Sequence, residues 1–172
     1  YGDGLDDVLI GAKGNGDGGS KAGKAYLILG ASLGSTSTIN LSQADYSFIG
    51  ENSDDEAGLR VAGAGDVDND GLDDMLVSGH KNDDGTTNAG KVYLILGSSL
   101  GSTASIDLSL ADYFFVGENV SDYVGVSLSG AGDVDGDGLD DVLIGSRGND
   151  DGGNSAGKIS KKRRPCAFAK IA

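Results

Sequence analysis

Short apolar runs recur along the chain, separated by polar segments rich in glycine. VLIG, AYLILG, YSFIGEN and LRVAGAG occupy residues 8–11, 25–30, 46–52 and 59–65. Each run is short and has no helical period, so each predicts a β-strand. AYLILG is apolar at nearly every position, which predicts a strand that is covered on both faces.

The same succession of runs returns 67 residues later without a gap. MLVSG, VYLILG, YFFVGEN and VSLSGAG take the corresponding places, and VLIGS begins a third repeat. Four strands per repeat predict one antiparallel four-stranded sheet per repeat, which is the unit of a β-propeller blade. The expected fold class is all-β. The predicted units are blade repeats at 1–65 and 66–132, the start of a third at 133–158, and a basic tail at 159–172.

The length of the chain limits how far such a propeller can close. The 172 residues hold about two and a half repeats, whereas propellers close with about four to eight blades. We therefore expect an incomplete propeller that is a fragment of a larger protein. Its open ends should associate with the remaining blades or with other copies of the chain.

An acidic segment with the pattern D-x-D-x-D-G-x-x-D precedes the first strand of each repeat. It reads DVDNDGLDD at 66–74 and DVDGDGLDD at 133–141. Carboxylates crowded in this way repel one another unless a hard cation lies between them, and calcium takes six to eight oxygen ligands in irregular geometry. Gly71 and Gly138 permit a sharp turn. The predicted calcium ligands are side-chain oxygens and one backbone carbonyl per loop, from Asp66, Asp68, Asp70, Leu72 and Asp74, and from Asp133, Asp135, Asp137, Leu139 and Asp141.

Residues 3–7 match the second half of these loops. Asp3, Leu5 and Asp7 are therefore predicted ligands of a third loop, which is expected to bind calcium weakly or not at all. A simple polar turn is one alternative for the acidic segments, since Asp, Asn and Gly all favour turns. An EF-hand is excluded, because its twelfth position requires an acid and here holds Val77 and Ile144.

Composition and charge favour a cation-binding protein outside the cell. The chain has 31 glycines, one proline and a net charge of -14, with -20 on residues 1–157 and +6 on the rest. So acidic a body would repel nucleic acid. A single cysteine, Cys166, excludes an internal disulfide, and no apolar run is long enough to span a membrane. Because millimolar calcium is found outside cells, we expect an extracellular or cell-surface location.

The acidic segments and their flanks resemble a known family. GLRVAGAGDVDNDGLDDMLVSG at 58–79 and GVSLSGAGDVDGDGLDDVLIGS at 125–146, with AGK and a Tyr-bearing strand at 89–93, resemble FG-GAP repeats. These are the blades of integrin α-subunit propellers and of many bacterial secreted or surface proteins. The resemblance covers residues 1–157 and implies a seven-bladed propeller with its calcium loops opposite the usual ligand face. Ala57 and Val124 replace the family's first aromatic, which favours a bacterial-type homologue.

The expected function is a non-catalytic, calcium-binding scaffold for adhesion or recognition. A protein or carbohydrate ligand would bind the variable loops at 13–23, 80–90 and 147–157. The chain shows no set of nucleophile, base and oxyanion donors, so we predict that it is not an enzyme. One alternative is an accessory propeller of a secreted phospholipase or other hydrolase whose catalytic domain lies elsewhere, and another is a repeated spacer with no specific partner.

Several other polar residues are expected to be solvated. His80, aligned with Ala12 and Ser146, is predicted to be an exposed spacer. Two groups of acids are interpreted as solvated loops, with a second cation or ligand site as the alternative: Glu51 with Asp54 and Asp55, and Glu118 with Asp122. Three acids beside the last position of the acidic segments are also expected to face solvent, namely Asp6, Asp73 and Asp140.

The basic tail breaks the repeat. Where the third repeat requires a strand like VYLILG, the chain reads ISKKRRPCAFAKIA. Consecutive cations cannot lie in a strand buried on both faces, so residues 159–172 are expected to be disordered or loosely packed. The abrupt loss of register favours a reading-frame break, the end of a gene fragment or a foreign segment, and a polyanion-binding patch is the alternative interpretation.

Overall fold

The computed structural model describes residues 3–34, 37–153 and 156–162, with the backbone alone for residues 161 and 162. Within them the chain forms eleven strands and four short 3-10 turns, and no helix there is long and apolar enough to cross a membrane. The strands are β1 Val8–Gly11, β2 Lys24–Ile28, β3 Tyr46–Ile49, β4 Val61–Gly65, β5 Asp74–Gly79, β6 Lys91–Ile95, β7 Ser105–Asp107, β8 Tyr113–Val116, β9 Val124–Gly132, β10 Asp141–Ser146 and β11 Lys158–Lys162.

Three sheets follow one another along the chain. The first has the order β1-β2-β3-β7, the second β4-β5-β6-β8, and the third β11-β10-β9. Neighbouring strands are antiparallel except for β3 and β7, which are parallel. The predicted all-β fold of blade-like sheets is confirmed. Nine of the eleven strands coincide with the repeating apolar runs, and β11 lies where the third repeat would have its second strand.

The sheets are offset from the repeats. β4 ends the first 65 residues, yet it pairs with β5 and is the first strand of the second sheet. β9 in the same way precedes the second complete acidic segment and pairs with β10. The sheets therefore change between β3 and β4 and between β8 and β9, and each complete acidic segment connects the first two strands of one sheet.

Apolar side chains fill the spaces between successive sheets. One cluster joins Phe48 of β3 with Val77 and Tyr93 of the second sheet, and all three are fully buried. A second cluster joins Leu76 and Val92 with residues of β9 and β10. All five residues of β6 are buried, as the prediction made for AYLILG implies for its counterpart VYLILG, whereas Tyr26 in β2 itself is only partly buried.

The short strand β7 was not predicted. It lies in the connection between β6 and β8 and adds to the outer edge of β3 in the preceding sheet, with Phe48 opposite Ile106. Ile106 packs against the first apolar cluster. The first sheet therefore has three antiparallel strands and one parallel strand that the next repeat contributes.

The basic tail begins as a strand. Lys158–Lys162 pairs antiparallel with β10, with Ile159 opposite Gly145. The expectation that order ends at residue 159 is therefore wrong for residues 159–162. β11 has a partner on one side only within the described residues and Ile159 is 75% exposed, so this strand is not buried on both faces. Residues 163–172 lie outside the described residues.

Candidate metal centres

Each complete acidic segment forms the hairpin loop between two paired strands. The first connects β4 with β5, where Gly65 pairs with Asp74, and the second connects β9 with β10, where Gly132 pairs with Asp141. Gly71 and Gly138 have φ of +88° and +87°, a region that residues with a Cβ rarely adopt. The sharp turn expected at both glycines is present.

Three carboxylates of each loop come together. One oxygen from each of Asp66, Asp68 and Asp74 lies within 4.8 Å of the other two, and Asp133, Asp135 and Asp141 form a matching triad. These six residues are predicted ligands. Their convergence twice in the chain, at equivalent positions, gives two candidate metal centres.

The central aspartates of the loops take a different role. Oδ1 of Asp70 accepts a hydrogen bond from the Leu72 N–H at 2.9 Å, and Oδ1 of Asp137 accepts from Leu139 at 3.0 Å. Such bonds from an aspartate to the backbone two residues on stabilise turns. Asp70 and Asp137 are not among the three carboxylates that converge in each loop, and their binding of calcium through the second carboxylate oxygen remains a prediction.

The first aspartate of each loop accepts hydrogen bonds from several backbone N–H groups. Asp66 accepts from Asp70 at 3.1 Å and from Gly71 at 2.9 Å. Asp133 accepts from Gly136 at 2.7 Å and from Gly138 at 2.8 Å. The Gly138 N–H is the main reason that the pKa of Asp133 lies below its ordinary value, because hydrogen bonds to a carboxylate favour its charged form.

The last aspartate of each loop anchors it to the sheet. Asp74 is 1% exposed and accepts from Val67 at 2.8 Å and Gly97 at 2.9 Å. Burial raises the pKa of Asp74 to about 6, and the charges of Asp68 and Asp70 contribute to the increase. Asp141 is also buried and accepts from Val134 at 3.0 Å.

The partial loop at residues 3–7 keeps the anchoring hydrogen bonds. Asp3 accepts from Leu5 at 2.9 Å, as Asp70 does from Leu72, and Asp7 accepts from Gly30 at 2.8 Å, as Asp74 does from Gly97. Within the described residues Asp3 and Asp7 belong to no carboxylate triad. Their binding of calcium, together with Leu5, remains a prediction.

The two triads fit a calcium ion. All of the converging donors are hard carboxylate oxygens, and a loop that is closed by backbone hydrogen bonds holds them on one side of the turn. A groove of about 690 Å³ between residues 4–7 and the first complete loop is lined by Asp66 and Asp74, two of the three members of this triad. The carbonyls of Leu72 and Leu139 remain predicted ligands.

Asp140 connects the two complete loops. Its Oδ2 accepts from the Asp66 N–H at 3.0 Å, and its own N–H donates to the Asp66 carbonyl at 3.1 Å. The expectation that Asp140 is solvated is therefore wrong. Asp73, its counterpart in the first loop, is exposed as expected. The pattern of the motif gives no sign of this difference, because the partner is 74 residues away.

Other acids that were interpreted as solvated are buried at the opposite end of the strands. Asp55 is 3% exposed and its Oδ2 accepts a hydrogen bond from Nδ2 of Asn82 at 2.8 Å. Asp122 is 2% exposed and its Oδ2 accepts a hydrogen bond from Nδ2 of Asn149 at 3.4 Å. Both aspartates lie between sheets and both asparagines lie in the loop after the second strand. Asp54 is exposed, as expected.

Lys91 is a structural residue that the sequence interpretation missed. Its Nζ lies 2.6 Å from Asp84 and 2.8 Å from Glu51, and its side chain is only 7% exposed. Lys24 pairs with Asp17 and Lys158 with Asp151 and Glu118 at equivalent positions. The available signal in the sequence was that the lysine of each AGK follows an aspartate by seven residues, as in Asp17 and Lys24, Asp84 and Lys91, and Asp151 and Lys158.

His80 is also buried rather than exposed. It is 6% exposed, and its Nε2 lies 4.0 Å from Oε2 of Glu56. Burial lowers the pKa of His80 below its ordinary value despite the charge of Glu56. At the strict 67-residue spacing its counterparts are Lys13 and Arg147, not Ala12 and Ser146.

Comparison with known proteins agrees with this architecture. Residues 124–160 match the family model described as FG-GAP repeat. The chain is 30% identical over 155 residues to integrin alpha-PS2 of Drosophila melanogaster, an alignment that covers 87% of this chain and 11% of that relative. The sheets and acidic hairpins define a protein of β-propeller blades. Both comparisons support an FG-GAP repeat protein that is similar to integrin α-subunits.

Proposed function

We propose that this chain is a calcium-stabilised, non-catalytic segment of a β-propeller that serves adhesion or recognition at the cell surface or outside the cell. FG-GAP repeats of integrin-α-like proteins indicate a recognition scaffold. The observation that carries the calcium proposal is the convergence of three carboxylates in each hairpin loop. The alignment covers about a tenth of the integrin relative, so the ligand and the partners of the whole protein are also matters of proposal.

Calcium has a structural role in this proposal. It offsets the repulsion within each triad and fixes the hairpin between the first two strands of a sheet. Affinity should be that of extracellular modules, on the order of 0.1 to 1 mM. A protein or carbohydrate ligand would bind the loops at the other end of the strands, where the sequence varies most between repeats.

Calorimetric titration of calcium into the chain, after EDTA treatment and its removal, tests this proposal. Asp68→Asn should weaken binding at the first centre at least about tenfold, because a neutral amide replaces one of three carboxylates. Asp73→Asn removes the same charge from an exposed neighbour in the same loop and should bind like the wild type. Equal affinities for the two variants would contradict a site at this triad.

A further inference from the structure

Two short segments of the chain have the form Asn-x-Ser, the pattern at which secreted proteins accept N-linked glycans. They are Asn40-Leu41-Ser42 and Asn119-Val120-Ser121, and neither has proline at the middle position. The first lies in the connection between β2 and β3, and the second lies in the connection between β8 and β9. Neither motif contributes a residue to the two carboxylate triads.

Asn40 lies on the surface of the folded chain. It is exposed, as are Ser42 and Gln43 beside it. None of residues 38–43, all of which the structure describes, belongs to either apolar cluster. The connection lies at the end of the strands that carries the acidic loops, because β2 runs toward that end and β3 runs back from it. A substituent on Asn40 would therefore extend into solvent without displacing a core side chain.

The exposure of this position does not depend on an unpaired segment. The counterpart of Asn40 one repeat later is Asp107, the last residue of β7, which pairs with β3 of the preceding sheet. Asp107 is exposed in that paired strand, whereas Ile106 beside it is half-buried. The side chain at this position therefore faces solvent whether or not its segment is paired with another strand.

The local backbone leaves the amide nitrogen of Asn40 accessible. Its Oδ1 accepts a hydrogen bond from the Ser42 N–H at 3.0 Å, and Asn40 is the N-cap of the 3-10 turn Leu41–Gln43. A turn that an asparagine side chain closes in this way brings the serine back toward the amide and occupies the oxygen rather than Nδ2. Asp107 accepts the same bond from Ser109 at 2.8 Å, but an aspartate has no amide nitrogen to modify.

Asn119 has the same motif in a more confined setting. Its Nδ2 donates to Oδ2 of Asp122 at 3.5 Å, and its backbone N–H donates to the same oxygen at 3.1 Å. Asp122 is 2% exposed and also accepts from Nδ2 of Asn149 at 3.4 Å. A sugar on Nδ2 of Asn119 would approach this buried carboxylate, so the folded structure favours Asn40 as the acceptor.

We propose that Asn40 is an N-glycosylation site. The proposal rests on the proposed extracellular location, because an exported chain meets the donor, a lipid-pyrophosphate-linked oligosaccharide. In the transfer, Nδ2 of Asn40 loses one proton and forms a bond to C1 of the first sugar. The bond between C1 and the pyrophosphate oxygen breaks, and the lipid pyrophosphate leaves with the electron pair. The glycan lies at the end that carries the acidic loops and leaves the opposite loops open to a ligand.

Secretion of the 172-residue chain from cultured human cells, behind a signal peptide that is removed on export, tests the proposal. Treatment with peptide-N-glycosidase F should lower the intact mass by that of an oligosaccharide, and peptide mapping should find aspartate in place of asparagine at residue 40. Asn40→Gln removes the acceptor and Ser42→Ala removes only the hydroxyl, and both should lose this glycan. Asn119→Gln should keep it, as should Gln43→Ala, which changes an exposed neighbour outside the motif.

Asp107→Asn is the matched gain of a site. It completes the motif with Ser109 at the exposed counterpart and should add one glycan. A wild type with no glycan at residue 40, or a glycan there that persists in Ser42→Ala, would overturn the proposal. Because the glycan is added before export is complete, a chain that the cell retains is scored in the same way after lysis. Calcium titration of the secreted chain tests the proposed function separately, since Asn40 is remote in sequence from both triads.

Discussion

Lys91 is a cation that the fold keeps almost entirely away from water. It lies between Glu51 from the preceding connection and Asp84 from its own, and its Nζ is 4.4 Å from the centre of the Phe114 ring. Burial lowers its pKa, but the hydrogen bonds to both acids outweigh burial and raise the pKa above its ordinary value. The ion group therefore joins two sheets, with Lys91 and Glu51 largely buried and Asp84 partly exposed.

Lys91→Met should lower the free energy of unfolding by about 3 kcal/mol, because it leaves the partly buried Glu51 without its counter-charge. Lys158→Met is the matched control, since its side chain is 37% exposed and has equivalent partners. Urea unfolding measures both variants. Similar losses for the two would show that burial of the Lys91 group contributes nothing.

His80 is surrounded by charges of both signs. Glu56 faces it and favours its protonation, while Lys81, Lys13 and Arg147 oppose it, and burial lowers the pKa of His80 most. Tyr123 lies beside the ring at a centroid distance of 6.3 Å. The neutral imidazole is thus the form that the folded chain prefers.

Stability should therefore decrease with acid through His80. Its contribution is present above the unfolded pKa of about 6.5 and is lost as the pH falls toward the lower folded value. Urea unfolding at pH 7.5 and 5.5, in excess calcium, should show a larger loss for the wild type than for His80→Gln. Equal losses would mean that His80 titrates alike in the folded and unfolded chain.

The two acidic loops form a connected pair rather than independent turns. Asp140 of the second loop holds the backbone of Asp66, which is a member of the first triad. The first loop is therefore positioned in part by a residue of the next sheet. Binding of calcium at one centre should depend on the order of the other.

Asp140→Ala should weaken calcium binding at the first centre several-fold and destabilise the fold by about 1 kcal/mol, the usual value of one hydrogen bond. Asp73→Ala removes the exposed counterpart and should change neither quantity beyond the effect of one surface charge. Titration calorimetry and urea unfolding of the two variants measure both effects. Loss of affinity only at the second centre would contradict the connection.

Patterns within a few neighbouring residues predict the strands and turns that form through nearby residues alone. The strands β5 and β6 follow from continuous apolar runs, and the hairpin loops follow from glycines and aspartates at fixed spacing. β7 could not be predicted, because Ser105–Asp107 contains one apolar residue and pairs with a strand more than 50 residues earlier. The same holds for Asp55 and Asp140, whose partners become neighbours only when sheets stack.

The expectation of disorder was wrong for residues 159–162 for a related reason. A strand buried on both faces cannot contain consecutive lysines, but an edge strand tolerates them, and lysines commonly protect such edges. β11 is paired on one side only within the described residues. The sequence pattern alone does not distinguish these two positions.

Across the molecule, calcium should raise the melting temperature. A ligand at 100 times its dissociation constant stabilises the folded state by about 2.7 kcal/mol per site, and a chain of this size gains about 2 to 4 °C per kcal/mol. Two centres should together give roughly 10 °C or more between EDTA and saturating calcium. Magnesium at equal concentration should give much less, since it requires a stricter octahedral geometry. Identical melting curves with EDTA and calcium would contradict metal stabilisation.

The offset between sheets and repeats determines where the gene can be cut. A cut between residues 65 and 66 would separate β4 from the strand it pairs with and divide an acidic loop from the strand that leads into it. A cut within residues 50–60, between β3 and β4, leaves the hydrogen-bond ladder of each sheet whole, apart from the β7 contribution. Anyone assembling longer or shorter arrays from this unit should therefore begin each module just ahead of β4, so that every added piece brings its own innermost strand.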